Sequence, residues 1–167
     1  MESKSAFKNS GFTLIELLVS ILVISILVGL GYANFRAYSQ KQALWAAARQ
    51  VEGDLRLAQS YAMSGKDAYC GSQGYFYGYN FYLNSATSYS IRRVCRLSGV
   101  NYYTSVINRS MPNGFEIADS SVSIVFRAVT GGADGGVSFR ILRSGTLNPY
   151  INITVSTSGK ISMTYTN

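Results

Sequence analysis

The 167-residue sequence contains no histidine. That absence removes the commonest metal ligand and the side chain that moves protons most easily near neutrality, so His-based catalytic triads and His-bearing zinc sites are excluded. Proline occurs twice and tryptophan once, and charged residues make up only 14% of the chain against 47% hydrophobic. A chain so poor in charge and so rich in apolar residues is not a solvated, disordered polymer. Acidic residues are scarce as well, 8 Asp and Glu against 15 Lys and Arg, for a formal charge of +7. Asp119 and Asp134 are too few and too far apart to suggest a calcium site. No G-x-S-x-G element occurs either. No catalytic residue, metal site or cofactor is expected; the composition argues against most enzymes, and the chain is not expected to be one. What the chain does have is 16 glycines and 13 tyrosines, the mark of strands joined by glycine turns. Its length suits one domain plus an extra element.

The composition changes along the chain. Phe12 to Tyr32 reads FTLIELLVSILVISILVGLGY, with Glu16 as its single charge. A helix of twenty-one residues at ~1.5 Å per residue spans about 31 Å, enough to cross the hydrocarbon core of a bilayer. The preceding segment carries Lys4 and Lys8, which place that end in the cytoplasm by the positive-inside rule. A secretory signal would have a shorter apolar core and a small-residue cleavage site. Here helical character continues past Tyr32, as expected of an anchor that is retained. The bulk of the chain then lies across the membrane. Glu16 is the anomaly, because an unpaired carboxylate in an apolar span costs about 2–4 kcal/mol. A helix N-terminus, where the dipole favours negative charge, offers it partial relief.

Gly11-Phe12-Thr13-Leu14-Ile15-Glu16 resembles the processing motif of type IV pilins and of the pseudopilins of type II secretion. The resemblance implies cleavage after Gly11 by a prepilin peptidase and N-methylation of the new terminus, Phe12. It also implies an assembly role for Glu16, pairing with the terminal amine of a neighbouring subunit. Leu55-Arg56-Leu57-Ala58-Gln59-Ser60-Tyr61-Ala62 is similar to the L-R-x-A-R-S-E-A helix end of the GspH/FimT group, with Gln59 and Tyr61 as departures. Gly78-Tyr79-Asn80-Phe81 and the stretch from Ile151 to Ile161 resemble that group more loosely.

The implied layout is a leader (1–11), a membrane-spanning assembly half of a helix (12–32), an amphipathic half (33–65) and a β-rich pilin-like domain (66–167). The fold class is α+β, a long N-terminal helix packed by its second half on an antiparallel sheet. The implied function is that of a minor pilin or pseudopilin, incorporated into or capping a type IV pilus or a type II secretion pseudopilus. Its partners are other pilin or pseudopilin subunits, prepilin peptidase, the inner-membrane assembly platform and membrane lipid. The implied location is the inner membrane, single-pass, with the C-terminal domain periplasmic, or extracellular in the assembled filament.

Residue periodicity agrees with this layout. Leu44, Ala48, Val51, Leu55, Ala58 and Ala62 recur at 4, 3, 4, 3, 4, one apolar face of a helix meant for the core. Glu52 and Arg56 form a favourable i,i+4 pair, and Gly65 is placed to cap the helix C-terminus. Gly29 and Gly31 mark places where the helix can loosen or pack closely. Strands are predicted over Tyr75–Leu83, Ser88–Leu97, Tyr102–Asn108, Ser121–Ala128, Gly136–Leu142, Tyr150–Ser156 and Lys160–Tyr165. Gly131 to Gly136 is predicted to form a hairpin tip.

Cys70 and Cys95 are suited to one structural disulfide closing a loop of about 25 residues, worth about 3 kcal/mol, with free buried thiols as the alternative. Beyond Tyr32 the chain has 13 Lys and Arg against 6 Asp and Glu. Arg92, Arg93 and Arg96 cluster around Cys95. Together with Lys160 they support an alternative function as a pilus-displayed receptor, with DNA as partner through phosphate contacts and stacking on tyrosines. Some FimT-like pilins use a G-R-x-R pattern near the C-terminus for this. Gly159-Lys160-Ile161-Ser162 retains one basic residue of it, so the motif does not carry that role over.

Overall fold

The computed structural model describes residues 12–167; the leader expected at 1–11, Gly11 included, lies outside the described residues. The chain divides into two compact units, Met1–Lys41 and Gln42–Asn167, and helix α1 (Leu14–Ser64) runs through the boundary.

In the first unit, Thr13 caps α1: its Oγ1 accepts the Glu16 N–H at 3.3 Å. Leu14 through Val28 present apolar side chains all round, each between 47% and 79% exposed. A helix apolar on every side is stable only against lipid or other helices. The two serines within it fold back on the helix, Ser20 Oγ donating to the Glu16 carbonyl at 2.7 Å and Ser25 Oγ to that of Ile21 at 2.8 Å, so neither hydroxyl is left unpaired. Among the described residues no helix is long and apolar enough to cross a membrane. Side chains 30–34 lie outside the description, and residues 14–29 account for about 24 Å of helix.

The second unit contains the core. Leu44, Ala48, Val51, Leu55, Ala58 and Ala62 are all buried, joined by Ala47, as the helical period requires. The Glu52–Arg56 pair forms at 2.6 Å. The helix stops where Gly65 adopts φ +63° and the Lys66 N–H reaches back to the Tyr61 carbonyl at 3.2 Å, a bond that satisfies a terminal helix carbonyl.

Eight strands follow: β1 Tyr75–Ser85, β2 Ser88–Leu97, β3 Val100–Ser110, β4 Phe115–Ile117, β5 Ser123–Arg127, β6 Val137–Arg143, β7 Tyr150–Val155 and β8 Ile161–Thr166. They form two four-stranded sheets, ordered β3-β2-β1-β5 and β4-β6-β7-β8, and every pairing is antiparallel. The α+β class is as expected, but the sheet is divided in two.

The division happens at the glycine-rich segment. The turn before Ala133 does fold the chain back on β5, with the Arg127 N–H on the Gly132 carbonyl and the Asp134 N–H on the Val125 carbonyl, both at 2.8 Å. But Gly131 to Gly136 does not join two paired strands, because β5 pairs with β1 while β6 pairs with β4 and β7. It is a crossover between sheets. Ala133 is fully buried, bridges to Phe126 and donates its N–H to the Thr157 carbonyl at 3.0 Å. Side chains of both sheets meet in one core, where the Phe81 ring lies 4.9 Å from Tyr89 and 6.2 Å from Phe139.

Candidate assembly and interaction sites

Glu16 occupies the first turn of α1 and is exposed. With Thr13 as cap, its carboxylate sits at the positive end of the helix dipole, which stabilises it by about 0.3–1 kcal/mol. The cost of a carboxylate in an apolar span is about 2–4 kcal/mol. The dipole therefore offsets only part of that cost.

The arginines singled out in the sequence do not form one patch. Strand alternation turns Arg92 and Arg96 to one face of β2 and Arg93 to the other, where Arg93 Nη1 donates to the Asp67 carbonyl at 2.9 Å. Lys160 lies on the other sheet, in the turn before β8, with its N–H on Ser156 Oγ at 3.1 Å.

Arg92 is held on several sides. Nε and Nη2 donate to Asn80 Oδ1 at 3.1 and 2.7 Å. The guanidinium carbon lies 3.7 Å from the ring centre of Tyr82 and 4.6 Å from that of Tyr103. Asn80, fully buried, donates in turn to Ser123 Oγ at 3.0 Å and the Ile124 carbonyl at 3.2 Å. One polar chain thus crosses all four strands of its sheet, from β5 through β1 and β2 to β3. Burial pushes the Arg92 pKa down, and the two tyrosines act against that shift. On the same face Arg96 stacks over Tyr77 at 4.4 Å. The Tyr77 hydroxyl donates to Asp134 at 2.5 Å, and Asp134 also binds Arg127 at 2.8 Å. The hydrogen bond to Asp134, followed by burial, raises the Tyr77 pKa.

Cys70 and Cys95 form a disulfide, with Cα atoms 5.8 Å apart, so the free-thiol alternative does not apply. The bond ties the loop after α1 to β2. Gln59, a departure from the helix-end pattern, has a definite place. Its Nε2 donates to the Gly131 carbonyl at 2.9 Å and the Gly159 carbonyl at 3.0 Å, joining the helix to the crossover and to the β7–β8 turn. A Cβ at Gly159 would collide with the Gly131 carbonyl oxygen and with Gln59 Nε2. Gly78, in the Gly78-Tyr79-Asn80-Phe81 stretch, has no room for a Cβ because the Phe126 carbonyl oxygen of β5 occupies that space.

Two further groups escaped the sequence reading. Asp54 accepts the Tyr89 hydroxyl at 2.7 Å and lies 3.6 Å from Arg109; burial, then the bond to Asp54, pushes the Tyr89 pKa up. Tyr82 and Tyr103 become partners of Arg92 only through strand register. An asparagine inside the aromatic run Tyr79-Asn80-Phe81 was the one available signal that a buried polar contact lay there. Among the described residues no group of His, Cys, Asp or Glu is placed to hold a metal ion.

Comparison with known proteins follows this geometry at both ends. Residues 7–32 match the prokaryotic N-terminal methylation motif. No curated protein matches the chain. Among solved structures, the type IV minor pilin FimU of Pseudomonas aeruginosa strain PAO1 is similar over 76% of this chain and 92% of that one, with a TM-score of 0.51 and 15% identity. At that identity the likeness establishes the fold. The chain carries the prokaryotic N-terminal methylation motif on a protein with the fold of a type IV minor pilin.

Proposed function

We propose that this chain is a minor subunit of a type IV pilus, structural rather than catalytic. Residues 1–11 are the leader, removed after Gly11 by prepilin peptidase, and Phe12 becomes the methylated terminus. Residues 12–32 hold the subunit in the inner membrane and later pack among the helices of the filament. Residues 33–65 form the amphipathic half of the helix, and residues 66–167 are displayed outside. The assembly platform moves the helix from lipid into the filament, where partner helices rebury its apolar surface. Glu16 sets the axial register, because a carboxylate and an ammonium that are each costly in lipid neutralise one another only at a defined stagger. The observation that carries the reading is the methylation motif at residues 7–32 running directly into a helix whose far end is the core of a minor-pilin fold. Membership of a type II secretion pseudopilus is the related alternative.

The DNA-receptor reading receives less support. Of its four residues, Arg92 is clamped between rings, Arg93 faces the opposite side, and Lys160 belongs to the other sheet. Intact mass measurement of the native protein tests the main proposal. The expected mature species begins at Phe12 and carries one methyl group. A terminus at Met1 would overturn it.

A further inference from the structure

We infer that the face of β1–β3 bearing Tyr82, Arg92, Tyr103 and Arg96 is a docking surface for a carboxylate-rich patch on a different filament subunit. The inference rests on the proposed function for the identity of the occupant, and on the following geometry for its chemistry. Tyr82 and Tyr103 are 38% and 44% exposed. Between them Arg92 is fixed by two rings and by Asn80, which engages Nε and one terminal nitrogen. Among the described residues the other terminal nitrogen has no protein acceptor, and a guanidinium already held in place loses little entropy on meeting a carboxylate. Exposed tyrosine and arginine around a rigid, partly desolvated centre is the composition of interface hot spots.

Charge pairing identifies what is missing. Arg56, Arg109, Arg127 and Arg140 each have a carboxylate in the chain, at 2.6, 3.6, 2.8 and 3.8 Å. Arg92 and Arg96 have none among the described residues; Arg36, Arg49, Arg93 and Arg143 have none either, but only Arg92 and Arg96 are gathered with tyrosine rings on one sheet face. The same four pairs engage Glu52, Asp54, Asp134 and Asp119, so of the 6 acidic residues beyond Tyr32 only Asp67 and Glu116 are outside arginine pairs. A second copy would bring many cations and almost no available carboxylate to this face. A different, acidic neighbour is the complementary surface. A nucleic-acid backbone fits less well, because tracking phosphates calls for a row of accessible cations. This face offers two, one of them immobilised.

The test uses the full mature chain in detergent micelles at near-physiological salt, with fluorescently labelled hexaglutamate as probe. Binding read by anisotropy is expected to weaken about tenfold in the Arg92→Gln, Arg96→Gln double variant, the effect of losing a charge-assisted contact. The Arg143→Gln, Lys160→Gln variant, which removes equal charge from the other sheet, is expected to bind as wild type. The variant Tyr82→Leu, Tyr103→Leu leaves both cations in place and removes the clamp, and is expected to weaken binding too. Near-UV circular dichroism confirms that each variant keeps its packing. Equal losses in the two charge variants would overturn the inference by showing a diffuse effect. So would no binding by wild type, duplex DNA binding more tightly than hexaglutamate at this face, or self-association abolished by the Arg92 and Arg96 changes. A correctly processed Phe12 terminus in a protein that fails this test would leave the minor-pilin reading standing while removing the docking surface.

Discussion

Replacing Gln59 tests whether one amide holds helix and both sheets together. Its Nε2 donates to two carbonyls, at 2.9 and 3.0 Å, in a partly buried junction. Each such bond contributes about 0.5–1.5 kcal/mol net, so Gln59→Ala is expected to cost about 1–3 kcal/mol. For a domain of this size that corresponds to a fall in Tm of about 5–10 °C. Gln59→Glu is the sharper variant. It keeps the shape but directs an anion at two carbonyl oxygens that have lost their donor, so its loss should exceed that of alanine. Gln59→Arg supplies donors again and should recover part of the stability. Thermal unfolding of the full mature chain in detergent, followed by near-UV circular dichroism, reads all three. If Gln59→Glu melts with wild type, the junction does not carry this energy.

Other consequences are more direct. Removing the disulfide by Cys70→Ser with Cys95→Ser frees a loop with a sequence separation of 25 and should lower stability by about 3 kcal/mol, read by urea unfolding. The Tyr89, Tyr79 and Tyr77 pKa values are raised by folding. Their stabilising contribution is therefore complete below the unfolded tyrosine pKa of about 10 and is lost as pH rises above it. Unfolding free energy should fall from about pH 10 upward. In Tyr89→Phe the fall should be shallower, at a cost of about 1 kcal/mol at neutral pH for the lost bond to Asp54.

Much of the architecture was legible because it repeats locally. The stripe from Leu44 to Ala62 is buried residue for residue, since a helical period depends only on near neighbours. Alternation likewise places Ile124 and Phe126, and Ile151, Ile153 and Val155, in the core. β2 falls at the predicted bounds, whereas β4 is three residues long and too short to show a period. The split into two sheets depends on which distant strand β5 chooses, and no local pattern contains that choice. The glycine-rich segment does turn back on β5 at Ala133, but its continuation into the other sheet is hidden for the same reason. Arginines close in sequence suggested one patch, yet the two-residue period of a strand separates Arg93 from Arg92 and Arg96. The Tyr82–Arg92–Tyr103 stack is assembled across three strands, and only their register brings it together.

The most direct measurement on the central claim is filament incorporation of Glu16→Ala, scored beside N-terminal processing in the same cells. The expected result is a subunit cleaved and methylated at Phe12 that remains in the membrane and is absent from sheared filaments. Processed Glu16→Ala protein found in filaments at the wild-type level would contradict the claim that this carboxylate sets the register of assembly.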